Sequence, residues 1–229
     1  MRDGRVGAGG HTRAMRTLLD LVLPVLCAGC GRSGTGWCGE CAASLAGPPL
    51  RVWPRIDPGV PCWALGRYRG PARQAVLSAK ERGRRDLADP LGAALANGLA
   101  RLCVPDRPLV LIPAPTRSAA ARRRGGDPVL RMTRVAARRL EPHWLSGCQV
   151  APGLRLWWGV RDSAGLSAQR RCQNLRGRIT AVPMPHIPTY AQVVLVDDVL
   201  TTGTTAAVSI HALSRVGTHV DGVLVSCAT

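Results

Sequence analysis

From about residue 70 onward, apolar positions fall into alternating helix-like and strand-like stretches. A helix starting near Pro71 carries Val76, Leu77 and Lys80, and Asp89 with Pro90 supplies an N-cap and first-turn pair for a second helix through Leu99. Leu109 to Ile112 reads as a short buried strand ending at Pro113. Asp127 and Pro128 repeat the cap signal, and Val129, Met132, Val135, Ala136 and Leu140 share one face of a helix that Pro142 stops. Leu154 to Trp158 reads as a strand, and Ser167 caps a basic helix to Arg178. Val193 to Val196 is the clearest strand; a helix from Thr204 to Arg215 follows, ending at Gly217, and Val223 to Val225 forms a last strand. Strands alternating with helices predict an α/β fold, a parallel sheet with helices on both faces.

The first part of the chain has a different texture. Residues 1–14 carry Gly and Arg without periodicity and are expected to be disordered. Met15 opens MRTLLDLVLP, a helix-like lead-in and a workable start of its own. Paired cysteines come next, and Gly47, Pro48, Pro49, Pro54, Pro58 and Pro61 then mark a linker of turns and extended chain. The expected division is 1–14 as an extension, 15–55 as a cysteine-rich region and 56–229 as the main domain.

Composition narrows the core. There is no Phe and there are two Tyr, so Val, Leu, Ala and the six Trp must fill the interior. The formal net charge of +17 favours polyanions, phosphate-rich ligands or acidic membrane surfaces. Arg122, Arg123 and Arg124 are consecutive, and Arg138, Arg139, Arg170, Arg171, Arg176 and Arg178 thicken the same half of the chain. Only Trp157 and Trp158 offer tandem stacking, so composition alone does not separate nucleic acid from a phosphorylated metabolite. Of 31 Lys and Arg residues, Lys80 is the only lysine.

The apolar run from Leu18 to Leu26 resembles an export leader, but Asp20 and Pro24 interrupt it and no leucine stands three residues before Cys27 or Cys30. No run reaches the length of a membrane span. A cytoplasmic chain is expected, where nine cysteines indicate metal ligands or free thiols rather than disulfides.

The chemistry concentrates in two stretches. In VVLVDDVLTTGTT, residues 193–205, a strand leads to Asp197 and Asp198 and then to a loop of Thr201, Thr202, Gly203, Thr204 and Thr205 that opens a helix. Acids at the carboxyl end of a parallel strand can accept hydrogen bonds from sugar hydroxyls, and the loop can offer N–H and hydroxyl groups to a phosphate at the positive end of the helix. One site can thus read a ribose and its phosphate.

This string resembles the phosphoribosyl pyrophosphate signature of type I phosphoribosyltransferases. MRTLLDLVLPVLCAGC, YRGPARQAVLSAKERG, LIPAPTRSAAARRRGGD and GLSAQRRCQNLRG further resemble, in order, segments of the ComF family, associated with competence for DNA uptake, from about Met15 to Thr229. The resemblance implies an open, mainly parallel sheet of the type I phosphoribosyltransferase kind with a small N-terminal zinc finger. It also implies that Asp197 and Asp198 hold the ribose hydroxyls, that Thr201 to Thr205 hold the 5′-phosphate, and that Pro113, Ala114, Pro115 and Arg117 occupy the pyrophosphate-loop position. Mg²⁺ would come with the phosphoribosyl pyrophosphate. The implied role is in natural transformation, through single-stranded DNA or its partner proteins; the alternative is an active phosphoribosyltransferase of nucleotide metabolism with an unknown acceptor. The chain departs from the family where Gly125, Gly126, Asp127 and Pro128 stand in place of Gly-Phe-Asn-Gln, and near Ser163, where a Gln is absent. Thr201 stands where purine-salvage relatives carry an acid.

The second stretch is CAGCGRSGTGWCGEC. Cys27 and Cys30, then Cys38 and Cys41, form two Cys-x-x-Cys turns whose separation lets both close on one tetrahedral ion, predicting a structural zinc with a filled coordination shell. Gly29, Gly31, Gly34, Gly36 and Gly39 supply backbone freedom for those turns. Cys62, Cys103, Cys148, Cys172 and Cys227 read as small buried residues, and His211 as a packed one.

Overall fold

The computed structural model describes residues 24–116, 126–157 and 177–229. The expected N-terminal extension, the lead-in from Met15 as far as residue 23, the strand residue Trp158, Cys172 and the helix from Ser167 as far as Arg176 lie outside them; Gly177 and Arg178, expected as the end of that helix, form a turn. Six strands form one sheet: β1 (Leu50–Val52), β2 (Cys62–Arg67), β3 (Leu109–Pro113), β4 (Cys148–Val150), β7 (Gln192–Leu200) and β8 (Gly222–Ala228), in the order β1-β2-β8-β7-β3-β4. All neighbours are parallel except β1, which pairs antiparallel along the edge of β2. A separate antiparallel pair joins β5 (Leu154–Leu156) to β6 (Ile179–Ala181). The protein is therefore α/β with a mostly parallel sheet, as the alternating pattern implied.

The strands alternate between two cores. Leu109, Leu111, Val194, Val196 and Leu224 pack on one face, with α2 (Gly70–Lys80), α3 (Ala88–Leu102) and α4 (Pro128–Leu140). Val110, Ile112, Val193, Leu195, Val223 and Val225 turn to the other, under α5 (Thr204–Ser214) and the β5–β6 pair. Period-two alternation in fully apolar strands is what a sheet covered on both faces requires. Where α3 meets α4 it carries Gly92, because a methyl there would sit 2.5 Å from the Val135 Cβ.

Several local expectations shift. Asp127 is an N-cap, its carboxylate accepting from the Leu130 N–H at 3.1 Å. Asp89 is not, because a 3₁₀ turn over Arg85–Leu87 feeds directly into α3 and leaves Asp89 inside the first turn. Its carboxylate instead accepts from Arg139 at 2.9 Å on the surface. β5 was expected among the parallel strands and lies outside the main sheet. β1 falls within the stretch read as cysteine-rich region and linker, yet forms the sheet edge. His211, expected to be packed, is exposed on α5. Cys62 and Cys227 are buried as expected, Cys103 and Cys148 only partly. Among the described residues no helix is long and apolar enough to cross a membrane.

Candidate functional site

The chain leaves β3 toward β4 through α4 on one face of the sheet, and leaves β7 toward β8 through α5 on the other. Because β3 and β7 are neighbours, their connections diverge and open a crevice at their carboxyl ends, the place where open parallel sheets bind ligands. The acid pair, the threonine loop and the end of β3 all lie there.

β7 continues past the acids to Leu200, so Asp197 and Asp198 sit within the strand rather than after it. Asp197 is level with Val225, which faces the α5 core, whereas Asp198 lines a small cavity on the α2–α4 side. The two carboxylates therefore leave the backbone toward different sides. Asp198 is buried, and its two oxygens lie 3.0 and 2.9 Å from the ammonium of Lys80, the last residue of α2. Asp197 Oδ1 accepts the Asp198 N–H at 2.7 Å. Burial, together with the Asp198 charge, pushes the Asp197 carboxyl up to about 8, against the pull of Lys80. Burial works to lower the Lys80 ammonium, but the Asp198 and Asp197 charges outweigh it and hold the group above the ordinary lysine range.

The threonine loop turns at Gly203, whose φ of +82° is left-handed and favours glycine. A methyl there would run into the Ile56 carbonyl oxygen and the Pro54 ring, while Ile56 N–H donates to the Thr202 carbonyl at 2.9 Å. The segment from Pro54 to Ile56 thus braces the loop from outside. Thr202 and Thr204 hydroxyls are 2.9 Å apart, and Thr204 and Thr205 open α5, whose first-turn N–H groups have no helical partner. Thr201 is exposed. This start of α5 has the polarity and the donors to hold an anion.

At the end of β3, Pro113 pairs with Val196, and the Ala114 N–H donates to the Val196 carbonyl at 2.8 Å, which holds Ala114 buried against β7. Pro115 follows, half-buried. The Thr116 hydroxyl donates to Asp127 at 2.6 Å. Asp127 thus holds Thr116 and caps α4, which accounts for an acid at that position. Arg117 and the arginines at 122–124 lie outside the described residues, as do Arg170, Arg171 and Ser163.

Cys27, Cys30, Cys38 and Cys41 converge, with all four sulfurs within 4.8 Å of one another. Cys30 and Cys38 sulfurs are 3.7 Å apart, close to the roughly 3.8 Å edge of a tetrahedron with Zn–S bonds near 2.3 Å, and far from the roughly 2.05 Å of a disulfide. The donor set and its spacing are compatible with a zinc site. Burial works against ionising Cys27, but backbone N–H donors from Cys30, Cys38 and Gly29 lower its thiol to about 6. Burial and the neighbouring thiols push Cys41 up. Gly31 and Gly34 take positive φ, and a methyl on Gly29 would stand 2.7 Å from the Cys41 sulfur. Arg84 ties this module to the body: it donates to the carbonyls of Leu26 at 3.1 Å and Gly36 at 3.3 Å, and its guanidinium is held by Asp86 at 2.6 Å.

No protein-family model matches the chain, and no curated protein matches it. Two participants were not assigned from sequence. Lys80 stood out as the only lysine, but nothing local tied it to Asp198. Arg84, one of many arginines, carried no signal at all.

Proposed function

We propose that this chain binds phosphoribosyl pyrophosphate with Mg²⁺ at the β3–β7 crevice and serves DNA uptake through single-stranded DNA or its escort proteins, on a type I phosphoribosyltransferase-like domain with a zinc-bearing N-terminal module. The observation that carries the reading is that the acid pair of β7, the left-handed glycine turn opening α5 and the Pro113–Pro115 turn all belong to the ends of two adjacent parallel strands whose connections diverge. Asp198 and Asp197 would accept from the ribose hydroxyls, and the α5 turn would take the 5′-phosphate. Mg²⁺ keeps several waters and bridges ligand oxygens rather than needing a protein cage. When bound, it neutralises pyrophosphate charge; the chain's part is to orient the ribose and hold the phosphates. Zinc at Cys27, Cys30, Cys38 and Cys41 would have a full shell and act on stability.

The second reading, an active transferase with an unknown acceptor, shares the ligand and differs in turnover. The position that would carry an acid in purine-salvage relatives holds the exposed Thr201, which favours binding without salvage chemistry. Calorimetry with phosphoribosyl pyrophosphate and Mg²⁺ tests the shared part. The double substitution D197N/D198N should lower affinity more than tenfold, since hydrogen bonds to a charged group, here Asp198, contribute about 1.5–3 kcal/mol each. Equal affinity in parent and variant would refute the site. Pyrophosphate release with a panel of nucleophiles would select the transferase reading; none across the panel would select binding.

A further inference from the structure

Trp157 and Trp158 are the only tryptophans adjacent in sequence, but the fold assembles another aromatic cluster at the edge of the sheet. Arg51 of β1 stands opposite Trp63 of β2 in their antiparallel pair, so the two side chains leave on the same face. The Arg51 guanidinium lies 5.1 Å from the centre of the Trp63 ring and 5.7 Å from that of Trp53, the residue that follows β1. Both distances are within cation–π range. Trp63 packs against the core, whereas Trp53 is 79% exposed. Arg51 therefore links a fixed ring to an open one, and steadies Trp53 while most of its surface faces solvent.

The same edge is cationic along its length. Arg55 is exposed in the loop after Trp53, and the exposed Arg67, Arg69 and Arg73 run from the end of β2 into the first turn of α2. Among the described residues none of these, nor Arg51, pairs with an acid; Arg73 lies over the Tyr68 ring at 5.6 Å. Asp57, the one acid of the loop over residues 53–61, accepts from the Gly59 N–H at 2.8 Å. Cys62, level with the end of β1, stands roughly 17 Å from Arg67 at about 3.3 Å per residue. Toward Arg67 the edge holds an open groove of about 530 Å³, lined by Leu50, Leu65, Arg67 and Arg69, large enough for a nucleotide. A planar group thus finds a ring to stack on, and a chain of phosphates finds guanidiniums that no acid neutralises. An acidic peptide would leave Trp53 idle, and an apolar one would leave the arginines unused.

We propose that the β1–β2 edge binds single-stranded nucleic acid, with a base stacked on Trp53 and the phosphates of the strand met by Arg55, Arg67, Arg69 and Arg73. This rests on the reading given above, in which single-stranded DNA is a ligand, and gives that ligand a place apart from the β3–β7 crevice and from the arginines at 122–124. Every base has a π-face, so an open ring beside guanidiniums holds a strand without reading its sequence. Arg51 acts on the ring rather than on the strand: it places Trp53 for stacking.

The test titrates the full-length parent, Trp53→Ala, Trp53→Phe, R67A/R69A/R73A and R122A/R123A/R124A with a single-stranded oligothymidylate at several salt concentrations, following tryptophan fluorescence. The oligonucleotide should quench the parent. Trp53→Ala should lose part of that quench and bind about fivefold or more weakly, with the salt slope and the affinity for phosphoribosyl pyrophosphate unchanged; Trp53→Phe should recover most of the binding without the signal. R67A/R69A/R73A should keep the quench at saturation and flatten the slope by up to about 2 log units, at about 0.7 for each phosphate contact. Thermal melts check that each variant folds, and Trp53→Gln repeats the stacking measurement should the alanine variant fail to fold. Three results overturn the proposal. Loss of both ligands together in Trp53→Ala would place its effect in the Pro54–Ile56 brace of the threonine loop. Parent-like binding and quenching in Trp53→Ala would leave the edge a general polyanion patch at most. A loss confined to R122A/R123A/R124A would put the strand elsewhere. A parent that binds no oligothymidylate overturns the underlying reading of the DNA ligand instead, and this inference with it.

Discussion

A carboxyl that burial and a neighbouring charge hold near pH 8 opposes folding once it ionises. Asp197 is raised in the folded chain above its unfolded value near 4, so the folded state keeps a proton that the unfolded state has released. Its contribution to stability therefore falls as pH rises from about 4 to about 8, and levels off beyond. Asp197→Asn removes that slope, and its melting temperature relative to the parent should climb between pH 5 and pH 8; parallel profiles would show that the carboxyl titrates in its ordinary range. Gly203→Ala should act in the other direction. Forcing a Cβ into the left-handed region costs roughly 1–2 kcal/mol, and the collision with Ile56 and Pro54 adds to it, so a lower melting temperature with weakened phosphate binding is expected. The motif around these residues was legible because strand, acids and loop are contiguous. The role of Lys80 was not, since 118 positions separate it from Asp198 and no local pattern encodes a pairing over that distance.

The cysteine module is the element whose stability depends most on a single interaction set. It contributes the short helix α1 (Gly39–Ala43) and a cluster of three buried cysteines with Trp37 beside them, too little to hold a fold without a metal or the body beneath it. Protein purified without added metal should carry about one zinc per chain, and chelation should lower the melting temperature. Zinc-free protein that melts at the same temperature would make the cluster a set of ordinary thiols. Helices were readable to within a few residues because caps and apolar faces are local: the Asp127–Pro128 start of α4 and the Gly217 stop after α5 were both evident. Three-residue strands, apart from β5, were not. β1, β4 and β6 are too short for alternation to register, and β2 ends in Gly66 and Arg67 with no turn signal of its own. The acids were placed one step too late because charge inside a covered strand is improbable until Lys80 is seen beside it.

For the molecule as a whole, the +17 charge makes one measurable demand. If Arg122, Arg123, Arg124, Arg138, Arg139, Arg170 and Arg171 track a nucleic-acid backbone, single-stranded DNA binding should weaken by about 0.7 log units per log unit of salt for each phosphate contacted. Replacing Arg122, Arg123 and Arg124 with Ala should then flatten the slope by up to three contacts' worth; a loss of phosphoribosyl pyrophosphate affinity with DNA binding spared would assign the run to the small ligand. The α/β class was visible in the alternation of elements. The strand order was not, because hydrophobic pattern says which strands are covered and nothing about which are adjacent. That order also sets a timetable for synthesis. Cys62 of β2 pairs with Val223 of β8, which stands between β2 and β7 in the finished sheet. At about 5–20 residues per second on the ribosome, β2 waits on the order of ten seconds or more for its neighbour, and β7 meets β3 while its other edge is still bare. Over that interval the half-built sheet offers apolar edges to any strand that passes, so newly made chain, far more than finished protein, should be the form that needs a chaperone.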